Sequence, residues 1–159
     1  MSKDELITLL KEYKENKAKL NIRLKELKTA RIKLKNCNST YTNMTSSFGI
    51  NQDIHSKNQI SNKVLNRIEK NETKREELQE EIKNLEAEVR KLRDKVETVK
   101  DRLDALKYKE RELLVAYYID GRTAENISRT LYYDMYQRTC TPRYIQKIIE
   151  NATNKMTNI

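Results

Sequence analysis

Two stretches of the chain repeat apolar residues in alternating steps of four and three. The first, over residues 4–36, runs through Leu6, Leu10, Tyr13, Lys17, Leu20, Leu24, Leu27, Arg31 and Leu34. Seven of these nine positions are apolar, and the stems of Lys17 and Arg31 are long enough to lie over such a seam. The second, over residues 61–106, runs through Val64, Ile68, Asn71, Arg75, Leu78, Ile82, Leu85, Val89, Leu92, Val96, Val99, Leu103 and Leu106. A mean step of ~3.5 is the period of a left-handed coiled coil. Neither Gly nor Pro falls in either stretch, so each predicts one long helix. The polar pair Asn71 and Arg75 weakens the second stripe near its start.

Between them, residues 37–59 have no period and are dense in Asn, Ser and Thr, whose side chains compete with helical hydrogen bonds. This reads as a loop, serving either as a linker or as a binding loop. One amphipathic helix cannot bury its stripe alone, so the two helices are expected to fold back on each other. The expected fold is all-α: a long antiparallel coiled-coil hairpin over residues 1–106, then a small helix-turn-helix bundle over residues 107–159. A two-helix core is thin, which favours a homo-oligomer, with a dimer preferred.

The heptad stops at Lys107, and short apolar clusters separated by turn signals replace it. Residues 109–120 predict a helix with Leu113, Leu114, Tyr117 and Tyr118 on its apolar side, ended by Gly121. Thr123 is placed to cap a second helix over residues 124–131 that buries Ile127 and Leu131, with Glu125 in its first turn. Residues 134–140 are polar. Thr141 followed by Pro142 then marks the start of a third helix. At ~100° per residue, Ile145, Ile148, Ile149 and Ala152 share one side of it, while Arg143, Lys147, Glu150 and Asn154 lie opposite, flanked by Tyr144 and Gln146. Arg and Lys can reach guanine acceptors or phosphates, and amides can pair with adenine, so this face is suited to the major groove.

Composition narrows the rest. Charged and apolar residues are 36% each of the 159, with two Gly and one Pro, which leaves too few turn residues for a β-sandwich or an α/β enzyme. The longest apolar run, from Leu113 to Ile119, is far short of the ~18 residues that span a bilayer, so no membrane association is expected. Asp4 and Glu5 sit where a secretory signal would be apolar. Cys37 and Cys140 lack metal-ligand spacing and fit two reduced thiols in a cytoplasmic protein. The one histidine, His55, falls in the polar loop, and no phosphate-binding Gly loop or HExxH is present, so neither enzyme activity nor a metal or cofactor is expected. Net charge is +9. Residues 1–36 hold eleven basic and five acidic side chains, and residues 107–159 hold nine and six. The larger excess therefore lies on the first helix, away from the candidate reading helix.

The run from Lys109 to Leu131, KERELLVAYYIDGRTAENISRTL, resembles the helix-turn-helix of sigma-factor region four, with its EREVLxLRYxxGxSxEEIAxxL pattern. Glu110, Arg111, Glu112, Leu114, Tyr118, Gly121, Thr123, Glu125, Ile127 and Leu131 occupy corresponding positions or close substitutes. In layout the chain also resembles the phage ArpU/RinA-type late-gene transcription regulators, which join a helical hairpin to a region-four-like motif. The motif covers only about fifty C-terminal residues. It departs from the family in one interval: Leu131 and Ile145 are fourteen positions apart, about twice the family's spacing. Either the second helix runs on through Tyr132 and Tyr133, or a loop carries Tyr136, Gln137 and Arg138.

The resemblance implies a sequence-specific regulator of transcription acting on double-stranded DNA in a bacterial host cytoplasm, its coiled coil serving dimerisation or contact with RNA polymerase. Arg143, Gln146 and Lys147 would make the groove contacts, Tyr144 and Arg138 would position the DNA backbone, and Arg129 would bind phosphate. Two other readings share the layout. A small terminase-like packaging subunit would form a ring, and a structural or adaptor coiled coil would bind no DNA.

Overall fold

The computed structural model describes residues 1–45 and 57–158, with side chains described outside 38–65 and 67. Helix α1 spans Lys3–Thr45 and α2 spans Lys57–Asp104. They pack as an antiparallel hairpin. Tyr108–Leu114 (α3), Ala124–Arg129 (α4), Leu131–Tyr136 (α5) and Pro142–Thr157 (α6) follow.

The seam of α2 keeps its heptad. Leu78, Leu85, Val89, Val99, Leu103 and Leu106 are buried, Ile68, Asn71, Ile82, Leu92 and Val96 are half-buried, and only Arg75 among the described seam positions points to solvent. On α1 two positions differ from expectation. Asn16 and Ala30 take the buried places, leaving Lys17 and Arg31 exposed. The smaller neighbour is one residue back on the same side of the helix, and burying it avoids desolvating a cation. Steps of three and four still average ~3.5, so the period survives while the phase shifts locally.

The expected loop is shorter than residues 37–59. Helix α1 runs on to Thr45 and α2 already begins at Lys57, because the first true helix breaker after Lys35 is Gly49. Asn, Ser and Thr cost only a few tenths of a kcal/mol each in a helix, too little to stop one. Residues 46–56, with His55, lie outside the described residues.

Two compact units divide the chain. One is Met1–Leu20 with Lys91–Ile159, and the other is Asn21–Arg90. In the second unit, α1 and α2 bury Leu27, Ala30, Leu78, Leu85 and Val89, and Arg23 and Arg31 reach Glu88 and Glu86 at 2.8 and 2.7 Å. Ile22 and Ile32 remain exposed on α1.

The first unit does not respect a border at Leu106. Leu6 and Leu10 of α1 and Val99 and Leu103 of α2 form one buried cluster with Leu106, Leu114, Ala152 and Met156. A second cluster joins Leu113, Ala116, Ala124, Ile127, Tyr132, Ile145 and Ile149. Helix α6 thus has two backs, its first half on α3 and α4 and its second half on the hairpin's end. Among the described residues no helix is long and apolar enough to cross a membrane.

Leu10 is fully buried in this cluster, so Leu10→Ala is expected to lower unfolding free energy by about 2–5 kcal/mol in urea titration. A fragment of residues 107–159 would expose Leu114, Ala152 and Met156. It is expected to lack the cooperative thermal transition, followed by circular dichroism, that the full chain gives.

Candidate nucleic-acid interface

The expected helix over residues 109–120 is present but changes pitch. After Leu114 the chain takes a π-helical turn, Val115–Ile119, in which the Asp120 amide donates to the Val115 carbonyl at 2.9 Å. The wider turn lets neighbouring residues serve both cores: Leu114 faces the hairpin end, Leu113 and Ala116 face α4 and α6, and Tyr118 packs against both. Gly121 ends it in the left-handed region at φ 69°, and the Arg122 amide closes on the Ala116 carbonyl.

Thr123 caps α4, accepting from the Asn126 amide at 3.2 Å. The helix stops at Arg129, short of the expected Leu131. The Ser128 and Thr130 hydroxyls donate back to the Glu125 and Asn126 carbonyls, and Thr130 leaves helical geometry at φ −110°, ψ −87°. A separate helix, α5, then fills the long interval, so neither a continued second helix nor a plain loop occupies it. Lys109 anchors α5 from α3, donating to the Met135 carbonyl at 3.0 Å with its ammonium 3.9 Å from the centre of the Tyr136 ring. Gln137 ends α5 in the left-handed region at φ 52°, its amide donating to the Tyr133 carbonyl at 2.7 Å.

Tyrosines join α5 to the start of α6. Tyr132 stacks on Tyr136 with centroids 4.5 Å apart and meets Tyr144 edge-on at 6.2 Å. Burial pushes the Tyr132 and Tyr136 phenols above their ordinary pKa, with neighbouring Tyr144 adding to both, and burial likewise raises the Cys140 thiol. These groups therefore stay neutral at physiological pH, and the phenols remain hydrogen-bond donors.

Helix α6 has Thr141 as its cap, accepting from the Tyr144 amide at 3.3 Å, and Pro142 in its first turn. Ile145, Ile149, Ala152, Thr153 and Met156 are buried and Ile148 is half-buried. The buried Thr153 hydroxyl is satisfied by the Ile149 carbonyl at 2.8 Å. Arg143, Tyr144, Gln146, Lys147, Glu150, Asn151 and Asn154 are all exposed.

The six residues singled out from the sequence do not form a uniform set. Arg143 and Lys147 stand on the outer face of α6 with no ion-pair partner among the described residues, and Gln146 is exposed at one edge. Tyr144, 49% exposed, lies at the other edge and leans on Tyr132. Arg138, exposed just after α5, also has no ion-pair partner among the described residues. Arg129 is different: it stands on α4 and pairs with Glu125 at 2.6 Å, so its charge is partly answered already.

Sequence reasoning missed two members. Asn151 sits one turn beyond Lys147 on the same outer face, where a helical wheel could have found it. Lys3 comes from the start of α1 and pairs with Glu150 at 3.3 Å. With Gln146, Tyr117 and Tyr118 it lines a cleft of about 180 Å³. No local signal links Lys3 to α6. Among the described residues no group of three or more His, Cys, Asp or Glu is placed to hold a metal ion.

Comparison with family models, curated proteins and solved structures finds no match.

Two substitutions probe this framework. Thr141→Ala removes the cap of α6 and is expected to cost about 0.5–2 kcal/mol by chemical denaturation. Gln137→Gly places the residue that tolerates positive φ at the end of α5 and is expected to raise the thermal midpoint by several degrees, a gain of about 1 kcal/mol.

Proposed function

We propose that this protein is a sequence-specific DNA-binding transcription regulator that reads the major groove with α6. The observation that carries the reading is the outer face of that helix. Arg143 and Lys147 project from its first two turns with no ion-pair partner among the described residues, Gln146 lies at one edge, and a cap and a buried back hold the helix in place. Unpaired cations on a rigid helix are what a phosphate-lined groove selects, and an adjacent amide supplies base discrimination. Arg138, Tyr144 and the neutral phenol of Tyr136 lie toward the start of α6, where they would contact the DNA backbone. Arg129 plays a smaller part, since a phosphate would have to compete with Glu125.

The region-four-like run supports the same reading: Gly121, Thr123 and Ile127, which correspond to positions of that pattern, serve in this chain as turn, cap and core residues. It suggests a late-gene regulator of the phage ArpU/RinA type. The hairpin would serve dimerisation or RNA polymerase contact, a role that exposed Ile22 and Ile32 favour.

Fluorescence anisotropy of the full chain on a promoter-derived duplex library, at two salt concentrations, tests the reading. Binding should weaken steeply with salt, and specific competitor should displace labelled DNA before random duplex does. Arg143→Ala, Gln146→Ala or Lys147→Ala should each cost about 1–3 kcal/mol, and the triple variant should lose sequence preference. A triple variant with unchanged preference would remove α6 as the reading element. A full chain without salt-sensitive affinity would instead favour an adaptor coiled coil.

A further inference from the structure

The outer face of α6 would be a poor partner for DNA if Glu150 stood free. Counting along it, Arg143 and Lys147 are followed one turn later by this carboxylate, in line with the cations and 64% exposed. A bare carboxylate there would confront the phosphates that Lys147 is meant to reach, and like charges across an interface oppose association. The chain answers it from the far end of its sequence. Lys3, in the first turn of α1, brings its ammonium to 3.3 Å from the Glu150 carboxylate. The backbone there is held in place: Leu6, one turn further along α1, is fully buried in the cluster that contains Ala152 and Met156 of α6. Ser2 and Glu5 fasten the same turn, the Ser2 amide donating to the Glu5 carboxylate at 2.9 Å and the Glu5 amide to the Ser2 hydroxyl at 3.2 Å.

We infer that the first turn of α1 belongs to the nucleic-acid interface, where Lys3 neutralises Glu150 and so keeps the outer face of α6 cationic toward the phosphate backbone. The inference rests on the DNA-binding reading and adds to it an element that the helix-turn-helix itself does not contain. The pair is exposed, at 41% for Lys3 and 64% for Glu150, so it contributes little to folding. Its effect lies in the potential it sets on α6. The basic excess of residues 1–36 thereby acquires one specific member with a place in the site.

A double-mutant cycle on the full chain separates this role from a structural one. Lys3→Ala removes a cation and bares Glu150, and is expected to raise the duplex Kd about five- to tenfold at low salt. Glu150→Gln alone frees the Lys3 ammonium and should tighten Kd at low salt. The double variant Lys3→Ala/Glu150→Gln restores the net charge of the face and should bind within about twofold of the original chain. All three should keep the original thermal midpoint, since an exposed pair is worth little to stability. Lys25→Ala, in the other compact unit, controls for bulk charge and should leave Kd nearly unchanged. A Lys3→Ala chain that binds as tightly as the original, or a double variant as weak as Lys3→Ala, overturns the inference while leaving α6 as a reader. An original chain with no salt-sensitive DNA affinity overturns the DNA-binding reading itself, and this inference with it.

Discussion

The buried contact of Leu6 and Leu10 with Ala152 and Met156 is the constraint on which the described architecture of the first unit depends. About fifty residues supply only a marginal core of their own, and helices as short as α4 and α5 are unstable without tertiary support. The C-terminal helices meet this shortage by borrowing apolar surface from the start of α1 and the end of α2. The coiled-coil pattern continues to Leu103 and Leu106, but there it stops serving two helices and begins serving four. The hairpin's end is thus part of the floor on which α6 lies. Fixing α6 from two sides presents its outer side chains from a packed backbone, so ordering them against a partner would cost little.

Charge is distributed around that core in a consistent way. Lys14 reaches Asp120 at 2.8 Å, Lys155 reaches Glu110 at 2.5 Å, Arg111 reaches Asp104 at 3.0 Å, and Arg102 donates to the Met156 carbonyl. Exposed pairs contribute only about 0–1 kcal/mol each, so their sum does not explain the fold. What they do is sort the cations. Those that bridge the hairpin end to the C-terminal helices are used within the protein. Arg138, Arg143 and Lys147 have no such partner among the described residues, and all three lie between the end of α5 and the second turn of α6. Three cations without an ion-pair partner thus stand where α6 begins, while Lys107 and Arg122 are exposed cations elsewhere in residues 107–159 that also lack one among the described residues.

How much of this was legible beforehand follows from the range of each signal. The period of ~3.5 that marks Leu78, Leu85, Val89 and Val99 acts within one helix, and it placed the seam of α2 correctly. The caps at Thr123 and Thr141 and the stop at Gly121 are equally local, and each occurs where residue chemistry placed it. Choices between near neighbours were harder to read. Asn16 over Lys17 and Ala30 over Arg31 depend on which side chain desolvates more cheaply against α2. The end of α1 lies at Thr45, beyond residue 36, because Asn, Ser and Thr lower helix propensity without forbidding a helix. Nothing local announced Lys3 beside Glu150, since that contact follows from the register of the hairpin and the packing of α6 on its end.

Helix α5 shows how the same sequence feature can be visible and yet unreadable. The fourteen-residue interval between Leu131 and Ile145 was plain, but its content could not be settled from propensity, because Tyr-Tyr-Asp-Met-Tyr is neither a strong helix nor a strong turn. Tertiary contacts decide it. Lys109 holds the Met135 carbonyl and covers the Tyr136 ring, and the Tyr132–Tyr136 stack then gives Tyr144 a wall to rest on. The first turn of α6 is consequently positioned by an aromatic cluster, where a tight helix-turn-helix would use a few turn residues. A surface of this kind is broader than a bare helix end. It adds the stacked rings of Tyr132 and Tyr136 to the wall against which Tyr144, in the first turn of α6, is set. The inserted helix therefore enlarges the candidate interface on the side away from Lys3. The two elements, α5 and the start of α1, flank α6 at opposite edges, through Tyr144 and through Gln146 and Glu150.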